Sequence, residues 1–413
     1  MKKQKILIYD DEHGRIDDFK GKLGEGLDQA GQSEDFDIIA LENDAFQDSI
    51  RVLEQRRIAF RNEEESTKNG AEEIDNASIF IIDYDLLGNQ VEESAVGSLT
   101  GEIIAYLVRC FSKCKLIVGL NQYGSNPFDL TLRGDLDSFA DLNLGEYQLN
   151  NPDLWRGDWG DSRQGFRPWH WPNLRDALHN FDERVKDVEK NIDTSICEFL
   201  GFGSELFQLL PREIVQFIEK QDQKEHFQTT FREFVTESGN ALRFKDTKTL
   251  DKGMNDHILA RVGAARISKW LECLLLPEQD ILVDAPHLIS RYPSLMTGEK
   301  KKIETWNKGA QLICRDKLGL RTDLIEPYRF KKDHWVSRPV WFWDRLRECE
   351  HIREIIEPWL TVKPDWVFCE DASYFYNREN CREFLADTAS PFTQRFVKYF
   401  DEVDYRPRVR FSL

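Results

Sequence analysis

The sequence is poor in the features that announce many common functions. Its N-terminal stretch MKKQKILIYDDE has only four consecutive apolar residues, at 6–9. That is too few for a signal-peptide core or a membrane span, so a soluble, cytoplasmic protein with no membrane role is expected. Eight cysteines, at 110, 114, 197, 273, 314, 349, 369 and 381, form no C-x-x-C pair and no His/Cys cluster at zinc spacing. Reduced structural thiols are the plain reading. The stretches GEGL and GFGSEL lack both G-x-G-x-x-G and G-K-[ST], which argues against a phosphate-cradling glycine loop. There is no internal repeat and no low-complexity tract.

Positive charge is also scarce in the first half. Residues 1–193 hold 22 Lys+Arg against 39 Asp+Glu, and residues 194–413 hold 34 against 35, so nearly all of the net charge of −18 lies in the first part. Such a field repels nucleic-acid phosphates and favours divalent cations or basic protein faces. What the chain does have is material for two domains: 413 residues, 40% hydrophobic and 12% aromatic.

The first half alternates short apolar runs with helical patterns. KILIYDD (5–11) reads as a strand ending in acids, followed by a helix over 15–29. FDIIAL (36–41) is a second strand, and 44–65 a helix. SIFIIDYDL (78–86) is a third strand, apolar on both faces. TGEIIAYLVRCF (100–111) has helical spacing, KLIVGLN (115–121) is a fourth strand, SFADLNL (138–144) a fifth, and a helix runs over 173–191. Continuous apolar strands alternating with helices predict a doubly wound α/β fold, a five-stranded parallel sheet covered on both faces. In such sheets ligands bind beyond the carboxyl ends of the strands. Asp10 and Asp11 end the first strand, Asp83 the third and Asn121 the fourth, so one crevice collects them. Three carboxylates there raise each other's pKa, a conflict that a hard divalent cation such as Mg²⁺ resolves. Taken alone, Asp10-Asp11 also fits a helix N-cap, and Asp83/Asp85 an ordinary loop pair.

KILIYDDE, IFIIDYDLLG and the Thr-Gly-Glu helix together resemble the receiver domain of two-component response regulators, of the flavodoxin-like fold, over about residues 4–190. The resemblance implies that Asp11 is a direct Mg²⁺ ligand, that Asp10 acts through water, and that Asp83 is the phosphoacceptor. Asp85 would lend its backbone carbonyl to the metal. Asp83 is preferred to Asp85 because five apolar or small positions lead straight into it. Two family positions are unmatched. Asn121 stands where a Thr or Ser is expected. No lysine occurs between Lys115 and Lys186, so Arg167, in FRPWHWP, is the candidate cation; it could equally pack on Trp169 or Trp171. The expected partners are a histidine kinase or phosphotransfer protein, and an effector protein. IFIIDYD also resembles the nucleophile strand of haloacid-dehalogenase-type phosphatases, but that strand opens their fold and stands third here.

Two long segments, 61–78 and 150–172, interrupt the pattern. Trp155, Trp159, Trp169 and Trp171 in the second would cover the crevice, form a partner surface or pack on the second domain. Residues 193–413 read as a mainly α-helical regulatory or partner-binding domain, with amphipathic runs including NDHILARVGAARISKWLECLLL and VWFWDRLRECEHIREIIEPWL, and YRPRVRFSL as a terminal strand. HILARVGAA (257–265) faintly resembles a histidine-phosphotransfer motif, although a lone His on a helical stripe usually packs or caps. FKKDHWVSRPVWFWDRLR (330–347) has the basic-aromatic mix of a nucleic-acid surface, but alternating aromatics also build cores. No standard output module is evident. The layout is distantly similar to receiver proteins of antiviral two-component systems. The expected function is a phosphoacceptor in phosphorelay signal transduction, the alternative a pseudo-receiver binding module.

Overall fold

The computed structural model describes residues 3–61, 70–84, 86, 100–121, 136, 138–156, 173–208, 210, 212–218, 226–237, 255–310, 319–353, 365–385 and 394–399. The apolar runs of the first half form strands β1 (Gln4–Tyr9), β2 (Phe36–Ala40), β3 (Ile79–Asp83), β4 (Leu116–Asn121) and β5 (Leu142–Gly145). They make one sheet in the order β2-β1-β3-β4-β5, and every neighbouring pair is parallel. All five residues of β3 are buried. Because side chains alternate along a strand, Ile79 and Ile81 join Phe19, Leu23 and Trp155 on one face, while Phe80 and Ile82 join Phe46, Ile50 and Leu107 on the other.

The helices of this half are α1 (His13–Ala30), α2 (Asn43–Arg61), the short α3 (Glu72–Asp75), α4 (Gly101–Phe111) and α5 (Leu174–Lys190). Thr100 caps α4 by accepting from the Ile103 N–H, and Asn173 caps α5 by accepting from Arg175 and Asp176. The expected fifth strand begins late, at Leu142. Just before it, the Asp141 N–H donates to the Ile117 carbonyl at 2.7 Å, while side chains supply the rest: the Asp141 carboxylate accepts the Ile117 N–H at 2.8 Å and the Arg109 guanidinium, and Ser138 accepts the Ala140 N–H at 3.2 Å. Trp155 does not cover the crevice or pack on the second half. It is buried in the sheet face beside Phe36. Trp159, Trp169 and Trp171 lie outside the described residues, as does the terminal YRPRVRFSL.

Helices make up most of the described second half, as expected, but strands that were not expected join them. Its described residues include six strands: β6 (Leu282–Asp284) paired antiparallel with β7 (Val340–Phe342), and a mixed four-stranded sheet in the order β10-β11-β8-β9. Those four are β8 (Trp366–Cys369), β9 (Tyr374–Asn377), β10 (Arg382–Leu385) and β11 (Gln394–Val397). The VWFWDRLR run begins as a strand because Val, Trp and Phe suit a pleated, covered surface. Helix resumes only at Trp343–Leu346. In β8 the alternation is clean: Phe368 joins one core cluster, Val367 and Cys369 another.

A helix, Asp256–Trp270, runs on through a π-helical segment Leu271–Leu275 and packs along α5. It is buried on most sides, and three of its charged residues reach inward to partners. The Arg261 guanidinium donates to the Cys114 carbonyl, Arg266 to the carbonyls of Leu136 and Ser138, and Lys269 to those of Ser138 and Ala140. The apolar core on the α2/α4 side of the sheet is therefore continuous with that of the helices from Ile196 to Leu276. No helix among the described residues is long and apolar enough to cross a membrane.

A Cβ on Gly101 would lie 2.4 Å from the Asp83 carbonyl oxygen and 2.7 Å from the Tyr84 Cα, both backbone atoms, so only glycine fits there. Gly24, inside α1, has nothing within 4 Å. Denaturant unfolding should show Gly101→Ala destabilising by about 1–3 kcal/mol through overpacking. The same measurement should show Gly24→Ala stabilising by about 0.5–1 kcal/mol through helix propensity. Equal effects would mean that the β3–α4 junction is looser than described.

Candidate metal centre

β1 and β3 are adjacent and in register, with Tyr9 opposite Ile82. The residue after each, Asp10 and Asp83, therefore emerges at the same level of the sheet's carboxyl edge, and Asp11 follows Asp10. One carboxylate oxygen from each of the three lies within 4.8 Å of the others. Asp10 and Asp83 are almost wholly buried, at 2% and 1% exposure, and Asp11 is partly exposed.

The backbone holds this arrangement. The Tyr84 N–H donates to the Leu120 carbonyl at 3.2 Å, and the Gly101 N–H to the Tyr84 carbonyl at 3.3 Å, which fixes the turn after Asp83. The Tyr84 ring lies over β4 at Gly119, where a Cβ would be 1.9 Å from it. Its hydroxyl meets the Ser138 hydroxyl at 2.5 Å, and Ser138 in turn donates to Glu102 of α4 at 2.7 Å. Sequence reasoning missed Tyr84, although its place directly after Asp83 was the available signal. Glu102, noticed only as part of the Thr-Gly-Glu start of the helix, also accepts the Phe139 N–H at 2.5 Å.

Asp10 shows the cost of this convergence. Burial pushes its pKa above the ordinary 3.8, the Glu12 N–H that donates to Oδ1 at 2.7 Å pulls it back, and the Asp11 charge raises it again. Its other oxygen, Oδ2, is buried with no hydrogen-bond partner among the described residues. A buried carboxylate with an unpartnered oxygen, grouped with two more carboxylates, fits a hard divalent cation, which takes oxygen ligands and offsets the repulsion. Mg²⁺ matches this donor set, with Asp10, Asp11 and Asp83 as the residues that would hold it.

The other expected site residues fare differently. Asn121 ends β4, one residue beyond the Leu120 that pairs with Asp83, so its backbone is at the same edge. Asp85 and Arg167 lie outside the described residues, and neither the backbone ligand nor the arginine cation is placed. His257 is exposed at the start of its helix and holds Glu189 at 2.6 Å. The basic-aromatic stretch is absorbed by the fold: Trp335 and Trp341 are buried, Arg338 donates to Asp284 at 3.0 Å, Lys331 to Glu326 at 2.8 Å, and the Lys332 ammonium sits over the Phe199 ring.

The chain matches no protein-family model, no curated protein and no solved structure.

A raised carboxyl pKa means that the folded state holds the proton more tightly, so stability falls as pH rises from 3.8 through the folded value. In metal-free buffer at neutral pH, Asp10→Asn should therefore melt higher than the parent. Saturating Mg²⁺ should stabilise the parent by about 2.7 kcal/mol at a hundredfold excess over Kd. That increment should vanish in Asp10→Asn and Asp11→Ala. A parent whose melting is blind to Mg²⁺ would rule out the centre.

Proposed function

We propose that residues 4–190 are a receiver-type domain and that Asp83 accepts a phosphoryl group with the help of Mg²⁺. The observation that carries this reading is the meeting of Asp10, Asp11 and Asp83 at the carboxyl edge of a parallel sheet ordered β2-β1-β3-β4-β5. Asp83 is positioned as nucleophile. One of its carboxylate oxygens attacks the donor's phosphorus, the bond to the donor's leaving group breaks, and an acyl phosphate forms on the side chain. Bound Mg²⁺ supplies the positive charge that lets the carboxylates and the phosphoryl oxygens share the site. Asp10 and Asp11 would keep the cation's place, and Asp10 would do so with an oxygen that has no hydrogen-bond partner among the described residues. The donor class that follows is a phosphohistidine of a kinase or phosphotransfer protein.

The helical part is proposed as the regulatory or partner-binding partition. Its link to the site runs from Tyr84, next to Asp83, to Ser138, whose carbonyl receives both Arg266 and Lys269. A second reading, a pseudo-receiver that binds partners without phosphorylation, is favoured by Asn121 at the hydroxyl position. It is also favoured by Lys269. That lysine, its pKa pushed down to about 8 by burial, spends its ammonium on the Ser138 and Ala140 carbonyls.

The readings separate on incubation with Mg²⁺ and a small phosphodonor such as phosphoramidate. Intact mass should rise by one phosphoryl group, released by hydroxylamine as expected of an acyl phosphate. Asp83→Asn should abolish the gain with the fold retained, and Asp85→Asn should keep it. No adduct on the folded, Mg²⁺-binding parent would establish the pseudo-receiver. An adduct surviving in Asp83→Asn and lost in Asp85→Asn would move the nucleophile.

A further inference from the structure

The four-stranded sheet of the second half holds a pair of thiols that the sequence spacing conceals. Cys369 ends β8, wholly buried and opposite Phe396 of β11. Cys381 stands half-buried just before β10, and the two sulfurs are 3.3 Å apart. Beside Cys381 lies Lys398, whose ammonium donates to the Asn380 carbonyl at 2.9 Å. We propose that Cys369 and Cys381 are a redox-active dithiol that a hydroperoxide oxidises reversibly to an intramolecular disulfide.

The environment divides the roles. The Cys369 thiol and the Lys398 charge hold the Cys381 thiol below its ordinary pKa, whereas the hydrogen bond to Cys381, together with burial, pushes Cys369 up. Cys381 is the more exposed of the two and the better thiolate, so it attacks first. Its sulfur bonds to one peroxide oxygen, the O–O bond breaks, and the other oxygen leaves as water or alcohol after taking a proton. The product is a sulfenic acid. The Cys369 sulfur then attacks that sulfur, the S–O bond breaks, and the hydroxyl leaves as water with the Cys369 proton. Two electrons from the two thiols thus reduce one hydroperoxide. The sulfurs need to close only from 3.3 Å to the disulfide length of about 2 Å.

The other described cysteines are less suited. Burial pushes Cys110, Cys114 and Cys197 up to about 12, and Cys349, which its hydrogen bond with Tyr328 lowers, is paired with that phenol rather than with a second thiol. The linkage would also have a structural consequence. Between the two cysteines lies Asp371, which accepts the Lys398 N–H at 2.8 Å and the Tyr399 N–H at 2.6 Å and so ties the end of β11 to the β8–β9 turn. Oxidation would fasten the approach to β10 onto the end of β8 and brace that corner of the sheet.

The test uses the full-length protein, reduced, desalted and treated with hydrogen peroxide. Free thiols are then alkylated and the chain mapped by non-reducing peptide mass spectrometry. The expected result is loss of two of the eight thiols, a Cys369–Cys381 linked peptide, and its disappearance on adding dithiothreitol. In Cys369→Ser, dimedone should trap a sulfenic acid on Cys381, while in Cys381→Ser the Cys369 thiol should stay reduced. Absence of the linked peptide from the parent, at peroxide that fully oxidises a small dithiol, overturns the proposal whether or not the variants fold. Dimedone labelling of Cys369 in Cys381→Ser overturns the assignment of roles.

Discussion

Two carboxylates almost wholly removed from water, Asp10 and Asp83, end adjacent strands beside a third, Asp11. At an effective dielectric of about 20, like charges near 5 Å apart repel by roughly 3–4 kcal/mol per pair. A chain does not hold such an arrangement together by local preference; the parallel sheet imposes it. In-register pairing of β1 with β3 brings the two buried acids to one level, and full burial of β3 leaves Asp83 nowhere else to go. Burial first and then the Asp11 charge raise the pKa of Asp10, and its Oδ2 has no hydrogen-bond partner among the described residues. A divalent cation held by the three would offset the repulsion.

The rest of the molecule is arranged around keeping that edge in place. Gly101 allows the start of α4 to lie against the Asp83 carbonyl, and the Tyr84 ring fits over Gly119 because neither glycine carries a Cβ. From Tyr84 the contacts continue to Ser138 and Glu102, and from the Ser138 carbonyl to Arg266 and Lys269 in the helix Asp256–Trp270. Arg266 and Lys269 of that helix are buried against carbonyls rather than solvated, so the helix is keyed to the segment before β5. An event at Asp83 that moved Tyr84 would be felt there through hydrogen bonds and packing, with no need for a loose linker.

Much of the first half could be read from the sequence because its strands are short apolar runs closed by polar residues, and its helices carry their own caps at Thr100 and Asn173. The three acids were legible for the same reason: each stands where an apolar run stops. The start of β5 was not, because Asp141 supplies from its side chain the bond that a longer strand would make from its backbone. In the second half the helices were legible and the strands were not. Val340–Phe342 and Trp366–Cys369 are short apolar segments whose period is ambiguous, and only pairing with distant partners decides them. Trp155 and Arg338 carried no sign that they were core, since burial of an indole or pairing of a guanidinium depends on chain far away in sequence. The Cys369–Cys381 approach was hidden in the same way.

The central claim is that the three carboxylates hold one divalent cation. Crystals of the protein soaked in Mn²⁺, with data collected near the manganese absorption edge, test it most directly. The account predicts a single strong anomalous peak bounded by Asp10, Asp11 and Asp83, lost in Asp11→Ala crystals. A peak elsewhere on the acidic half, or none at a concentration that saturates simple carboxylate chelators, would contradict it.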